Sequence, residues 1–250
     1  MKIAVCVSHV PDTATRIKIG ADRKAIDPAG VTYIINPYDE FAVEEALKTK
    51  EKVGGDSLVY VITVGGEANK DTIRKALAMG VDEGILLKDD NQRDSFGIAK
   101  ALADEIKSLG CEIVFCGKQS VDYDNSITGQ IVAEMLNYNC VPVVVDFKLD
   151  GNKITAEREI EGGKEVVETE LPAVITTQKG LNEPRYASLK GIMAAKKKTI
   201  TEKPAITSTN FAEVLDMNLP VSKQPGRILG SDSSAVAELV KLLREEAKVI

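Results

Sequence analysis

The stretch Ser57–Gly80, SLVYVITVGGEANKDTIRKALAMG, decides the fold. Ser57–Val64 is a β-rich apolar run of the kind buried in a parallel sheet. Gly65-Gly66 breaks it, a helix follows from about Asn69 to Met79, and Gly80 stops that helix. The same rhythm repeats downstream. Ile85–Lys88 is a strand, 94–108 a helix stopped by Gly110, Glu112–Cys116 a strand, Gly117–Asn125 a loop and Ser126–Leu136 a helix. Upstream, residues 2–8 (KIAVCVS) form a strand, and a polar stretch with Gly20, Asp27-Pro28 and Gly30 leads to a second short strand, Val31–Ile35. Asn36-Pro37-Tyr38-Asp39 is a turn whose Asp39 can cap the helix that runs on to about Lys52. Strand–helix alternation with glycine stops predicts right-handed βαβ units and an open, mostly parallel α/β sheet.

From residue 141 the rhythm changes. Val141–Leu149, Lys153–Ile160, Glu165–Leu171 and Ala173–Thr177 alternate or run apolar around Gly151-Asn152 and Gly162-Gly163, which predicts a hairpin region. Beyond Thr177 there is little core material, and Pro184, Pro204, Pro220 and Pro225 punctuate the chain. A final amphipathic helix is expected over 233–248, with Val236, Leu239, Val240 and Leu243 on one face. An apron this long is expected to wrap a partner chain.

Composition narrows the function. Of 250 residues, 44% are hydrophobic, enough for a core, while 4% are aromatic and none is Trp, which argues against stacking platforms for single-stranded nucleic acid. The balance of 32 basic against 38 acidic residues, −6 overall, makes a poor binder of phosphate backbones. With one histidine, His9, a multi-histidine metal centre is excluded, and His9 itself reads as a structural hydrogen-bonder at the end of the first strand. The cysteines at 6, 111, 116 and 140 form no C-x-x-C pair. Cys6, Cys116 and Cys140 read as small buried hydrophobes in a reducing compartment. No apolar run reaches membrane-spanning length and Met1–Ala4 leads straight into a strand, so a cytoplasmic protein without membrane insertion is expected.

In an open parallel sheet, ligands sit beyond the carboxyl ends of the strands. Cys6–Thr13, Asn36–Asp39, Val64–Gly66 and Gly117–Thr128 fall there. The last is the richest. Gly117-Lys118-Gln119 leaves a strand, Ser120 and Val121 lead into Asp122-Tyr123-Asp124, and Ser126-Ile127-Thr128-Gly129 opens a helix. Hydroxyls and free amides at a helix start suit a phosphate, and Asp122 or Asp124 can accept from a ribose hydroxyl or an adenine amine. The competing reading is that Asn125 and Ser126 merely cap the helix. Neither a P-loop nor a dinucleotide G-x-G-x-x-G is present. Residues 185–203 hold six Lys/Arg against one acid, with Leu189, Ile192 and Met193 in a segment read as irregular. An apolar knuckle ringed by positive charge can dock an acidic partner, or can pack on its own core.

The run Ala156-x-Arg158-x-x-Glu161-Gly162-Gly163-x-Glu165-x-Val167, followed by Pro172-x-Val174-Ile175-Thr176, resembles the signature of the electron transfer flavoprotein β subunit. Leu181-Asn182-Glu183-Pro184-Arg185-Tyr186-Ala187-Ser188-Leu189, then Ile192-Met193 and Lys196-Lys197-Lys198, is similar to that family's partner-recognition loop. Asn36–Glu40, Lys75–Gly80 and Gly117–Gln119 are similar too, so the resemblance runs from about residue 2 to the C-terminus.

The resemblance implies a heterodimer whose α subunit holds the redox FAD, fed by an acyl-CoA-type dehydrogenase. This chain would be a carrier subunit without catalytic residues of its own. It implies a Rossmann-like adenine-nucleotide domain over 1–180, a recognition loop over 181–200 and an arm with a helix on the α subunit over 201–250. Carried over by position, the nucleotide contacts fall at Cys6, at Asn36, Pro37, Tyr38 and Asp39, at Val64, and at each residue from Gly117 to Thr128. Partner contacts fall on Leu189 as anchor, with Arg185, Ile192, Met193, Lys196 and Lys197, and on Glu165 toward the flavin domain. The ligand in this subunit is AMP in most of the family and a second FAD in the bifurcating branch, which takes electrons from NADH. Thr128-Gly129-Gln130 fits the AMP type. Val10-Pro11-Asp12-Thr13 looks like the bifurcating branch, Ile127 replaces a polar residue, and Ala194 stands where a lysine is common. AMP is the first expectation and FAD the alternative. A third reading is a stand-alone nucleotide-binding module, against which the long apron speaks.

Overall fold

A computed structural model describes residues 1–222 and 225–250; positions 223–224 of the expected arm lie outside the described residues. The elements in chain order are β1 (Lys2–Cys6), β2 (His9–Pro11), β3 (Tyr33–Ile35), α1 (Pro37–Val53), β4 (Leu58–Gly65), α2 (Asn69–Met79), β5 (Glu83–Lys88), α3 (Ser95–Leu109), β6 (Ile113–Gly117), α4 (Thr128–Leu136), β7 (Asn139–Asp150), β8 (Lys153–Ile160), β9 (Gly163–Glu170), β10 (Ala173–Thr177), α5 (Leu189–Lys197), β11 (Ile200–Pro204) and, after one 3-10 turn at Ser233–Ala235, α6 (Val236–Glu245). Nine strands make one sheet in the order β11-β5-β4-β1-β6-β10-β7-β8-β9, parallel up to β7 and antiparallel beyond it. β2 and β3 pair separately as a small antiparallel ribbon.

Alternation along the central strands sorts side chains onto two faces. Ile3 and Val5 join Ala42, Val43, Leu47, Ile73 and Leu77 under α1 and α2. Ala4 and Cys6 join Leu102, Ile106, Val132 and Ala133 under α3 and α4. Both faces of β1 are therefore covered, as the uninterrupted apolar run requires. From β1 the chain winds through β4 to β5, then returns to place β6 on the other side of β1. That reversal creates a crevice at the carboxyl ends of β1, β4 and β6.

Three expectations about layout are corrected. Ala173–Thr177, grouped above with the hairpins, is a central parallel strand between β6 and β7, and all five residues are buried. Residues 189–204 are not irregular. Ser188 caps α5 by accepting the Gly191 amide at 3.0 Å, and β11 adds to the edge of the sheet beside β5. Asp39 does not cap α1: Asn36 stands at the cap position without a side-chain cap bond, and Asp39 turns inward. Among the cysteines, Cys140 is exposed at the start of β7, where the strand has not yet entered the core, while Cys6 and Cys111 are buried. No helix among the described residues is long and apolar enough to cross a membrane.

Candidate functional site

The crevice holds a cleft of about 400 Å³, within the range of small-molecule sites. Its base is tied by one buried carboxylate. Asp39 Oδ2 accepts the Ser8 amide at 2.7 Å and Oδ1 accepts the Gly117 amide at 2.8 Å, so α1 clamps the outgoing ends of β1 and β6. Burial pushes the Asp39 carboxyl up to about 7, outweighing those hydrogen bonds, which pull it down. Gly117 is required by this clamp: a Cβ there would run into Asp39 Oδ1 and lie 2.7 Å from the Tyr38 Cβ. Gly129 plays the matching part on α4, where a Cβ would lie 2.8 Å from Cys116 Sγ and 2.7 Å from Thr176 Cγ2. The absent side chain lets the start of α4 sit on the strand ends.

That helix start carries no side-chain cap. Asn125 donates to Ser95 Oγ at 3.0 Å and Ser126 donates to Gln119 Oε1 at 2.9 Å, so neither caps α4 and the capping reading is overturned. The cause lies in the backbone. Asp124 and Ser126 both hold left-handed conformations, φ 52° and 53°, which swing the loop away from the helix end. A non-glycine residue in that region costs roughly 1–2 kcal/mol, and such outliers gather at ligand sites.

Cys6, Asp39, Val64, Gly117, Lys118, Gln119, Ser120, Asp122, Tyr123, Asn125, Ser126, Ile127 and Thr128 line the cleft. Asn36, Pro37, Tyr38, Val121 and Asp124 do not line it. Asn36 holds the loop from below, donating to the Gln119 carbonyl at 2.8 Å and accepting the Val121 amide at 3.2 Å. Pro37 opens α1. The Lys118 ammonium lies 5.1 Å over the Tyr38 ring, and Asp124 accepts from Gln119 Nε2 at 2.6 Å. Sequence reasoning missed two walls. Gln92–Ser95 lies at the carboxyl end of β5, where the same strand-end rule would have found it. Asn210, Ala212, Glu213 and Val214 roof the cleft from the arm, and their sequence carries no signal for it.

The buried thiols are poor nucleophiles. Burial pushes the thiols of Cys6 and Cys116 far up and that of Cys111 up to about 12, so none is a ready thiolate. His9 Nδ1 lies 2.7 Å from Thr72 Oγ1 with its ring stacked on Tyr33 at 4.5 Å; burial, then Lys75, lowers its pKa. Its role is structural. Among the described residues no three His, Cys, Asp or Glu gather as a metal site.

The expected partner residues divide. Leu189 is 83%, Met193 66% and Ile192 40% exposed on α5, so packing on the chain's own core is overturned for all three. Lys196 and Lys197 stand in the last turn of that helix. Arg185 is spent internally, on Glu44 at 2.8 Å and Glu51 at 2.6 Å. Lys198 is likewise turned in, donating to the Val81 carbonyl at 2.6 Å. Glu165, on the edge strand β9, pairs with Arg158 at 3.2 Å.

With this geometry in place, comparison with known proteins is direct. The model of the electron transfer flavoprotein domain matches residues 24–208. The chain belongs to the electron transfer flavoprotein β-subunit family. It is 40% identical to the electron transfer flavoprotein subunit beta of Syntrophomonas wolfei over 250 residues, covering 100% of this chain and 98% of that one. Identity is 37% with the subunit beta of Bacillus subtilis over 262 residues, and 35% with that of Mus musculus over 257 residues; this chain is covered fully in both, those chains to 100% and 99%. The family is one of flavoproteins that carry electrons, and the resemblance read from the Ala156–Thr176 run is thereby established.

Proposed function

We propose that this chain is the β subunit of a heterodimeric electron carrier, that it binds AMP in the switch-point cleft, and that it helps relay electrons from an acyl-CoA-type dehydrogenase to an FAD held with the α subunit. The observation that carries the nucleotide reading is the uncapped start of α4. Its free amides and the Thr128 hydroxyl face a cleft where a phosphate would find donors and a favourable helix dipole. Val64, Ile98 and Ile127 supply apolar walls for a flat base, and Asp122 an acceptor near the mouth. The residues fit the group. The loops after β4 and β6 would hold AMP between them; it would not be a redox group, and the flavin would supply the electron chemistry.

Docking of the dehydrogenase is assigned to α5, with Leu189 as the anchor and Lys196 and Lys197 as the basic rim. Exposed α6 fits the α subunit: none of its residues is buried, and Val236, Leu239 and Val240 face outward. Such an apolar stripe on a ten-residue helix needs a covering surface. Denaturing the purified heterodimer and separating the released nucleotides by chromatography tests the ligand. AMP and FAD near one to one supports this reading. Two FAD and no AMP replaces it with the bifurcating alternative, in which the second FAD sits in this subunit and accepts electrons from NADH.

A further inference from the structure

The roof of the cleft is a strap of extended chain after β11. It is held at its near end by the loop that opens α3. Asp94 makes three contacts of two kinds: Oδ1 accepts the Gly97 amide at 2.8 Å and caps α3, while Oδ2 accepts the Phe211 amide at 2.6 Å and the Ala212 amide at 3.1 Å. The Asp94 amide in turn donates to Asn210 Oδ1 at 3.2 Å, and Arg93 donates to the Ile206 carbonyl at 2.8 Å. The Phe211 ring meets Phe96 edge-on at 4.7 Å. At its far end the strap crosses to the 20–27 loop. There Lys24 pairs with Glu213 at 2.7 Å, Arg23 with Asp216, and the Met217 amide donates to the Arg23 carbonyl at 2.7 Å.

We propose that residues 206–217 are a strap that closes this cleft, and that Asp94 is its positioning residue, so that passage in and out of the cleft is set by the release of the strap from Asp94. The identity of the occupant rests on the nucleotide reading above; the closure does not. Near and far anchors differ in kind. The Asp94 grip is a carboxylate on two backbone amides, a charge-assisted contact. The far ion pairs are solvent-exposed and therefore weak and salt-screened. Opening thus begins at the far end and is completed only when Asp94 lets go. Of the roofing residues, Asn210 and Ala212 belong to the near anchor, Glu213 belongs to the far one, and Val214 follows it.

Asp94→Asn separates the two jobs of this side chain. Asparagine caps a helix about as well as aspartate, so α3 keeps its Gly97 contact. Its amide nitrogen then faces two backbone N–H donors, and the strap loses its grip. Arg23→Ala with Lys24→Ala weakens the far anchor without touching α3. Two rates are measured in the purified heterodimer. One is exchange of bound nucleotide for labelled AMP. The other is hydrogen exchange of the backbone amides at 118–128 on the cleft floor, mapped by peptide mass spectrometry with the edge strand β9 as the internal reference. Asp94→Asn is expected to accelerate exchange at 118–128 relative to β9 by about tenfold or more, the scale of losing a hydrogen bond to a charged group, with the melting temperature nearly unchanged. The double variant should give a smaller acceleration, which added salt reproduces in the wild type. If exchange at 118–128 is unchanged in both variants, the strap does not close the cleft and the proposal fails. If exchange at 118–128 accelerates but the wild type neither holds nor exchanges AMP, the strap stands and the nucleotide reading fails.

Discussion

Replacing Arg185 by alanine removes one guanidinium from two carboxylates that differ sharply in environment. Glu44, on α1, has 5% of its side chain exposed, and its oxygens accept Arg185 Nε at 2.8 Å, Nη2 at 3.0 Å and the Arg185 amide at 3.0 Å. Glu51, two turns further along the same face of α1, is 58% exposed. Losing the partner of an exposed carboxylate costs ~0–1 kcal/mol, whereas leaving a buried carboxylate unpaired costs about 3–5 kcal/mol. Arg185 is itself one-third exposed, so water relieves part of the second penalty. The expected loss is about 2–3 kcal/mol, which in a domain of this size lowers the melting temperature by roughly 4–12 °C. Differential scanning fluorimetry of the single variant, of Glu51→Gln and of the pair Arg185→Met with Glu44→Leu reads it. Glu51→Gln should move the midpoint by a degree or two, and the apolar pair should recover most of the loss, because it removes the stranded charge. A normal melting temperature in Arg185→Ala, together with weakened electron transfer from the dehydrogenase, would refute the clamp and return Arg185 to the docking rim.

Leu189→Ala should leave the melting temperature within a degree, since the side chain is 83% exposed, yet cut dehydrogenase-driven flavin reduction about tenfold, the scale of burying one leucine at ~1.5–3 kcal/mol; a lowered midpoint with unimpaired reduction makes it a packing residue. Thr128→Val should weaken nucleotide retention roughly tenfold through the loss of a hydroxyl on a charged oxygen, read by nucleotide content after gel filtration, and unchanged content assigns Thr128 to the helix start alone. Burial raises Asp39 to about 7 from ~3.9 in the unfolded chain, so its contribution to stability is full below pH ~4 and is lost as pH rises through 7. The melting-temperature advantage of wild type over Asp39→Asn should therefore shrink between pH 4 and 8, and a constant difference across that range would show that Asp39 does not titrate there.

How far the sequence reveals this molecule depends on whether a signal is local. The alternation from residue 2 to 136 is written in glycine stops and apolar runs, and α2 begins and ends where its residues say it should. The run at 173–177 is equally apolar, but nothing in five residues tells a hairpin partner from a central strand; only its neighbours β6 and β7, dozens of residues away, decide that. Asp39 reads as a cap because carboxylates near helix starts usually are caps. Its inward turn follows from two strand-end amides, Ser8 and Gly117, that need an acceptor in a buried place. The cleft floor follows from the strand-end rule. The strap does not, because 206–217 carries neither periodicity nor motif and is ordered by contacts with Asp94, Arg23 and Lys24.

The segment from 185 to 203 shows why its charges mislead when counted. Six cations against one acid suggest a basic surface, yet Arg185, Lys198 and Lys203 point inward, onto Glu44 and Glu51, the Val81 carbonyl and Glu105. Asn182 joins them by donating to Glu45 at 2.9 Å and to the Phe41 carbonyl at 3.0 Å. Arg74 grips the Ala195 carbonyl at the far end of α5, and Gly191 lets the helix lie against the Ala78 carbonyl of α2. These contacts fix both ends of a nine-residue helix that buries only Ala195. A helix so short and so little buried would not hold its shape alone. Because its frame is bonded to α1 and α2, Leu189, Ile192 and Met193 are presented in a fixed array, and a partner that covers them need not supply the free energy of ordering the helix. Gly191→Ala sharpens the point: pressing on the Ala78 carbonyl, it should disturb docking as much as Leu189→Ala does, although its methyl touches no partner.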